Sequence, residues 1–434
     1  MLALNRRQLL AALAATGTLG AGLSRSRAAP VKTKAHIVIA GAGAGGLAAA
    51  AQLSARLDGA KITLVDARRE HLYQPGFTLV ASGLKPKDYV LSTTAEHVAA
   101  GVNWVQEQVA AFDPESNSLT TERGTRITYD YLIVATGLHL DYASIEGMDI
   151  SLIGREGIGS IYASPDAAIT TRRLQAEFVE KGGDGLFGRP ATEMKCAGAP
   201  LKYTFITDDL MRRAGTRGKA KLTFTAQNRG LFSVPIVSEK VRMLFQDRDV
   251  SVRYDHVLTA IDPAKRRATF RTPAGMVDLP WTFINVVPPM RAPAAVRNSP
   301  LGWRTGPWKA DGWMEVEKPT LRHVTYRNVF ALGDVAGVPK GKTAASVKWQ
   351  TPVVVDHLIA ALQDKTSSEV YNGYTSCPLI TRIGRAMLVE FDYNDNLTPS
   401  FPGVVAPLEE LWVTWVMKEA ALKPTYFAML HGQA

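Results

Sequence analysis

Cysteine is nearly missing: the 434-residue chain carries only Cys196 and Cys377. Two thiols cannot make a disulfide scaffold. No CxxC or His/Cys cluster offers zinc-like spacing, so no metal is expected. Aromatics are sparse at 8 % and are not interleaved with an arginine-rich arm, which argues against nucleic acid despite a net charge of +10. Four of the fifty basic residues, Arg6, Arg7, Arg25 and Arg27, crowd into the first 28 positions. The mild excess left over suits anionic substrates or lipid headgroups. No apolar run reaches the roughly 20 residues of a membrane-spanning helix. What is present, 46 % hydrophobic and 21 % charged residues, is the composition of a globular protein. Its length corresponds to about three domains.

The N-terminus reads as an address. Asn5-Arg-Arg-Gln-Leu-Leu10 precedes a soft apolar run from Leu9 to Leu23, and Ser26-Arg-Ala28 sets small residues before a cleavage point. The paired arginines resemble a twin-arginine signal, which implies export of a folded, cofactor-loaded protein. The expected signal is 1–28 and the expected location periplasmic, peripheral to the inner membrane.

His36-Ile-Val-Ile-Ala40 is a buried-strand pattern running into Gly41-Ala-Gly43-Ala-Gly-Gly46 and an Ala-rich helix. Gly41 permits the turn, Gly43 the approach of a pyrophosphate, and Gly46 close packing of helix on strand. The helix N-terminus supplies N–H groups to the phosphates. Asp66 closes the next strand 20 residues beyond Gly46, the spacing of a carboxylate on ribose hydroxyls. Further on, Tyr129-Asp-Tyr-Leu-Ile-Val-Ala-Thr136-Gly137 and Asn328-Val-Phe-Ala-Leu-Gly333-Asp334 are strands ending in ATG and GD. In this order the three motifs resemble the glutathione-reductase superfamily. That implies an α/β fold with two Rossmann-like domains, FAD as cofactor, and a helix opened by Lys342, Thr343 and Ala344 aimed at the flavin. Lys221-Leu-Thr-Phe-Thr-Ala226 reads as the strand of a second nucleotide site, but Gln227-Asn-Arg-Gly follows it and no glycine fingerprint appears. The electron donor is then not a nicotinamide.

Cys196 lies in Lys195-Cys-Ala-Gly-Ala-Pro-Leu-Lys202, and Cys377 in Tyr374-Thr-Ser-Cys-Pro-Leu-Ile-Thr381. Flanking ammonium groups favour the thiolate, the reactive form. On the residues alone a structural disulfide and a redox pair are equally open. The two segments, with Val389-Glu-Phe-Asp-Tyr393 and Glu70-His-Leu-Tyr-Gln-Pro75, resemble the type II sulfide:quinone oxidoreductases over most of the chain after the signal. That resemblance implies sulfide as donor and membrane quinone as acceptor. In it, HS⁻ attacks an oxidised Cys196–Cys377 bridge, and a cysteine thiolate, assigned to Cys377, delivers electrons to a non-covalent FAD. Glu193, Lys195 and Lys202 are candidates for steering HS⁻ and moving protons. A sulfur acceptor and self-association stay open. Two alternatives carry the same fold: the flavin subunit of a flavocytochrome c sulfide dehydrogenase, and a type II NADH:quinone reductase.

The expected organisation is an FAD-binding first part at 29–146, a second Rossmann-like domain carrying Cys196 at 147–290, and an FAD-binding return at 291–373. A redox-cysteine and membrane-docking region follows at 374–434. There Leu408, Leu411, Trp412, Trp415 and Val416 recur at helical spacing, Pro424 is expected to break the helix, and Tyr426-Phe427 open a second apolar segment. Trp and Tyr beside Lys suit a membrane interface, so an amphipathic docking tail is expected.

Overall fold

The structure, a computed structural model, describes residues 29–403 and 405–433; the expected signal at 1–28 lies outside them. The first sheet is parallel, in the order Val329–Ala331, Tyr131–Val134, His36–Ala40, Lys61–Val65, Asn103–Val105. Its central strand is sealed, with Ile37, Val38, Ile39 and Ala40 all at 0 % exposure. Helices on both faces therefore favour an unbroken apolar run over alternation. Register explains how distant motifs meet. Ala40 pairs with Val65 and Val134, and Val134 with Ala331, so Gly41, Asp66, Thr136 and Gly333 all leave the same edge of the sheet. In an open α/β sheet that carboxyl edge is the ligand edge.

The second sheet is also parallel: Ile158–Gly159, Phe283–Asn285, Gly183–Gly188, Ala220–Thr225, Val250–Arg253. Its central strand is Gly183–Gly188, followed by the Cys196 loop and the helix Ala199–Arg213. This corrects the reading of Lys221–Ala226 as the fingerprint strand. That segment is the neighbouring strand, and the place of a second phosphate loop is taken by residues 189–198, which carry Cys196. The absence of a second fingerprint is unaffected. The loop after Ala220–Thr225 closes inward, burying Leu231 (0 %) and Phe232 (6 %), and Phe232 packs edge-on against Phe391 at 5.7 Å.

Phe391 ends an antiparallel hairpin, Thr375–Arg382 with Arg385–Phe391, in which Cys377 pairs with Val389. The hairpin lies against the helix Ala199–Arg213. This is how Cys377 crosses 181 positions of sequence to reach the Cys196 loop.

The C-terminal segment is continuously helical from Trp412 to Leu430, with one wide π turn at Met417–Ala421. Pro424 therefore does not break it: the wide turn directly before it accommodates the missing N–H and the ring clash. Nor are the tail aromatics free. Tyr426 is 7 % exposed, its hydroxyl 2.8 Å from His71 Nε2, and Phe427 stacks on His97 at 5.1 Å. Trp415 is half-buried against a small core of Leu79, Ile206, Ile380 and Ala386.

Candidate redox site

The nucleotide cradle is built from glycine geometry. Gly41 has φ +107°, and a Cβ there would lie 2.4 Å from the Ala135 carbonyl oxygen. A Cβ on Gly46 would sit 1.8 Å from the oxygen of Gly41, so only hydrogen allows the helix to pack so close. Gly43 is different: a Cβ there would meet nothing nearer than Arg68 at 3.9 Å, leaving that side open to a ligand. Gly43 is also the N-cap of the helix Ala44–Arg56, whose first-turn N–H groups need an acceptor.

Asp66 is 5 % exposed and accepts from the Ala42 N–H at 2.7 Å and from Arg68 Nη2 at 2.7 Å. Burial pushes its carboxyl up, but the Arg68 guanidinium and the Ala42 N–H outweigh burial and hold it below the usual carboxylate range. The Thr136 hydroxyl is buried without a hydrogen-bond partner and faces the cavity. An open glycine, an orphaned hydroxyl and an unsatisfied helix start on one edge fit a dinucleotide pyrophosphate.

A cavity of about 400 Å³ runs from this cradle to the cysteines. Of the expected site residues, Gly43, Thr136, Gly137, Gly333, Asp334, Lys342, Thr343, Ala344, Lys195, Cys196, Lys202 and Cys377 line it. Gly41 and Asp66 line a smaller adjoining hollow, and Gly46 is buried in packing. Glu193 is exposed on its loop and does not line the cavity.

Lys342 is not a solvated helix-start lysine. It is 6 % exposed, donates to the main-chain oxygens of Asp334 (2.6 Å) and Ala336 (2.9 Å), and lies 3.7 Å from the centre of the Trp313 ring. Burial brings its ammonium down to about 8. It thus clamps the Gly333-Asp334 loop to the start of the helix Ala344–Leu362, which Thr343 caps through the Ser346 N–H at 3.1 Å.

Cys196 and Cys377 are free thiols in hydrogen-bond contact. Cys196 adopts φ +46°, a left-handed conformation rare outside glycine. It is held there by its N–H on the Lys342 carbonyl at 2.9 Å and by the Tyr162 hydroxyl, which donates to its carbonyl at 3.1 Å. Gly198 lets the loop pass the partner: a Cβ there would fall 2.5 Å from Cys377 Sγ. Lys202 Nζ stands 3.6 Å from Cys196 Sγ and is 6 % exposed.

The Cys377 hydrogen bond, followed by the Lys202 and Lys418 charges, holds Cys196 well below the usual thiol range despite burial. The same bond and burial push Cys377 up. Burial alone would lower Lys202, but the charge on Cys196 overrides it and keeps the ammonium protonated. With Lys202 Nζ 3.6 Å from its sulfur, Cys196 is the member of the reduced pair on which the thiolate is favoured.

Three cavity residues were not among the expected site residues: Lys418 had no signal in the sequence, whereas Tyr73 and Gln74 stood only within the Glu70–Pro75 segment of the resemblance. Lys418, at the π turn of the tail, is 2 % exposed, donates to the Pro75 carbonyl at 3.0 Å and is brought down to about 8 by burial and then by the Lys202 charge. Gln74 accepts from Lys195 Nζ at 2.6 Å. Tyr73, 1 % exposed, packs edge-on against Tyr426 at 5.0 Å, and both line the cavity.

Residues 35–180 match the pyridine nucleotide-disulphide oxidoreductase family. The mitochondrial sulfide:quinone oxidoreductase of Mus musculus is 34 % identical over 92 % of this chain and 87 % of its own length. That of Dictyostelium discoideum is 35 % identical over 86 % of this chain and 81 % of its own. Among solved structures, the sulfide:quinone oxidoreductase of Aquifex aeolicus superposes with a TM-score of 0.77 at 21 % identity, covering 92 % of each chain. That likeness concerns the fold.

Proposed function

Starting from the chain's membership of the sulfide:quinone oxidoreductase family, we propose how its own residues carry the reaction. It is an FAD-dependent enzyme that takes two electrons from sulfide and passes them to quinone. The observation that carries the residue assignment is the meeting of Cys196 and Cys377 in the dinucleotide cavity, with Lys202 Nζ 3.6 Å from Cys196 Sγ.

Resting enzyme has the two sulfurs bonded. HS⁻ attacks the Cys377 sulfur, forming a new S–S bond there and breaking the Cys196–Cys377 bond, whose electron pair leaves on Cys196. Cys196 is the better leaving group because Lys202 stabilises its thiolate. Gly43, Thr136, Gly137, Gly333 and Asp334 would hold FAD, with Gly41 and Asp66 at the adjoining hollow and Gly46 letting the helix pack close behind the cradle. The bound flavin would supply the two-electron acceptor that links sulfur to quinone. Tyr162 and the Lys342 carbonyl fix the Cys196 backbone on the wall of the cavity. Lys418, near its midpoint of about 8, can exchange a proton with the cavity at neutral pH. Lys195, tied to Gln74, and Glu193, out on the loop, fit steering of the incoming anion better than proton transfer.

We assign FAD binding to 29–146 and 291–373, with 147–290 and 374–434 carrying the two cysteines; the pairing of Val329–Ala331 onto Tyr131–Val134 supports the split first domain. We further assign the chain to the periplasmic face of a membrane. The support is Arg6-Arg7 and Ala28 in the sequence; no helix among the described residues is long and apolar enough to cross a membrane. A variant with both arginines replaced by lysine that still reaches the periplasm contradicts the export route.

The chemistry is tested with Cys196→Ser and Cys377→Ser. Neither residue belongs to the nucleotide cradle, so both variants should purify with FAD and lose sulfide-dependent quinone reduction. Near wild-type turnover in either one removes the pair from the mechanism.

A further inference from the structure

In Val389-Glu-Phe-Asp-Tyr393, at the end of the redox hairpin, Glu390 is a buried carboxylate, 3 % exposed. It lies opposite Ser376 in the strand pairing, beside the position of Cys377. Its Oε1 accepts from the Tyr374 hydroxyl and, at 2.6 Å, from the Ser400 hydroxyl; its Oε2 accepts from the Ser400 N–H at 2.8 Å. These partners are neutral, with no lysine, arginine or histidine among them. A carboxylate buried without a counter-charge costs stability, which marks it as a candidate for function.

The network joins solvent to the cavity. Ser400 is exposed, and its Oγ lies 3.1 Å from the Tyr374 hydroxyl. Tyr374, half-buried and packed on Trp349 at 5.1 Å, lines the cavity together with Ser376 and Cys377. Burial, and then the hydrogen bond to Glu390, push the Tyr374 hydroxyl up, so it keeps its proton at neutral pH. The charged groups around this network are Lys348, on the helix that carries Trp349, and Lys340, which lies over the Phe391 ring at 5.8 Å and is paired with Asp395 at 2.8 Å. The sulfur side has its own cations, Lys202 and Lys418, beside Cys196.

The reaction consumes a proton. HS⁻ gives up two electrons and one proton, and quinone takes two electrons and two protons, so each turnover draws one proton from water. We propose that Glu390 and Tyr374 relay that proton from the solvent at Ser400 to the reduced quinone. This inference rests on the reading of quinone as acceptor. With Glu390 ionised, the Tyr374 O–H points at the carboxylate and away from the cavity. When Glu390 takes a proton from water, its own O–H donates to the Tyr374 oxygen and frees the Tyr374 O–H to turn into the cavity. Tyr374 then gives its proton to a quinone oxygen, forming that O–H bond, and recovers one from Glu390, which returns to the carboxylate. The electron pair comes from sulfide by way of the flavin. Tyr374 is the catalytic residue, and Glu390, which acts through it, a positioning residue.

The test reduces FAD-loaded protein with sulfide, then mixes it anaerobically with a short-chain quinone and follows flavin reoxidation over a range of pH. Tyr374→Phe, which keeps the ring on Trp349 and both Ser400 bonds to Glu390, should slow reoxidation about 100-fold. FAD content and bleaching by sulfide should stay at wild-type levels. Glu390→Gln, whose amide orients Tyr374 but cannot pass a proton, should be slowed comparably in maximal rate, with the half-saturating quinone concentration unchanged. The wild-type rate should fall as pH rises through the titration of Glu390, and Glu390→Gln should lose that fall. The carboxyl band that Glu390→Gln removes from the infrared difference spectrum should titrate with the midpoint of the wild-type rate. If Glu390→Gln does not fold, Tyr374→Phe alone decides. The proposal is overturned if Tyr374→Phe reoxidises within twofold of wild type, or if Glu390→Gln changes only the half-saturating concentration and keeps the pH dependence. It is equally overturned if Tyr374→Phe loses sulfide bleaching along with reoxidation, since the network would then only shape the cavity wall. A wild-type flavin that bleaches with sulfide but is not reoxidised by quinone strikes the acceptor reading and the relay with it. One that does not bleach with sulfide, yet is reoxidised by quinone after reduction with dithionite, strikes the donor reading alone, and the variants are then compared in that form.

Discussion

Replacing Lys202 by Met keeps the length and burial of the side chain and removes one charge 3.6 Å from Cys196 Sγ. At an effective dielectric of about 20, two unit charges about 4 Å apart attract by about 4 kcal/mol. Divided by 1.36 kcal/mol per pK unit, that loss raises the Cys196 thiol by up to about 3 units. Cys196 is the leaving group when HS⁻ opens the bridge. With a leaving-group slope of about 0.5, comparable to that of an attacking thiolate, the first step should slow by about 30-fold. The assay is anaerobic stopped-flow of flavin absorbance under excess sulfide, with Lys202→Arg expected to recover part of the rate. In the bridged enzyme Lys202 faces no thiolate and no hydrogen-bonded carboxylate, so there its loss should not lower the melting temperature. In the reduced enzyme its loss leaves the buried Cys196 thiolate without its counter-charge and should lower it. A correctly folded, FAD-loaded Lys202→Met enzyme bleaching within twofold of wild type would refute the electrostatic assignment.

Asp66→Ala should weaken FAD retention, since it removes charge-assisted hydrogen bonds worth about 1.5–3 kcal/mol each and frees the Ala42 N–H and Arg68 they position; equilibrium dialysis of the flavin reads the loss, and unchanged affinity contradicts the role. Deleting 408–434 removes Lys418, Leu422, Tyr426 and Met429 from the cavity wall, so FAD content, sulfide bleaching and quinone reduction should fall together. A truncated protein that keeps full sulfide bleaching would show the tail to be separable from the site. Lys418 is brought from 10.5 to about 8, so the folded state binds fewer protons than the unfolded state between those values. Its burial therefore costs stability, about 3 kcal/mol, fully below pH 8, and the cost fades as pH rises towards 10.5. Lys418→Met should melt higher than wild type at pH 7, with the gap narrowing through that window; a gap that widens with pH refutes it.

Much of this was written in local sequence. The Gly41–Gly46 turn, Asp66, Thr136-Gly137 and Gly333-Asp334 each follow a short apolar strand, and parallel pairing in register delivers them to one edge. The strand Gly183–Gly188 was missed because three of its six residues are glycine, leaving only Leu186 and Phe187 to signal burial. The more apolar Leu222-Thr-Phe224 stretch drew the assignment instead. The packing of the tail on the protein was illegible for a different reason. Its aromatics have the spacing and neighbours of an interfacial helix, and nothing local shows that His71, Tyr73 and His97, more than 300 positions earlier, take them up. Lys418 shares this history: a lysine between Met417 and Glu419 looks like surface until the wide turn carries it inward to Pro75. Pro424 was a fair signal for a break, and the π turn absorbs it locally.

The central claim is that electrons enter from sulfide through the cysteine pair, at the place where a nicotinamide enzyme would hold its second nucleotide. One anaerobic mixing experiment tests it: purified FAD-loaded protein against sulfide, and separately against NADH, with flavin absorbance recorded through a single turnover. The account predicts full bleaching by sulfide, none by NADH, and no sulfide bleaching in Cys196→Ser. Bleaching by NADH, or by sulfide in the absence of Cys196, would contradict it.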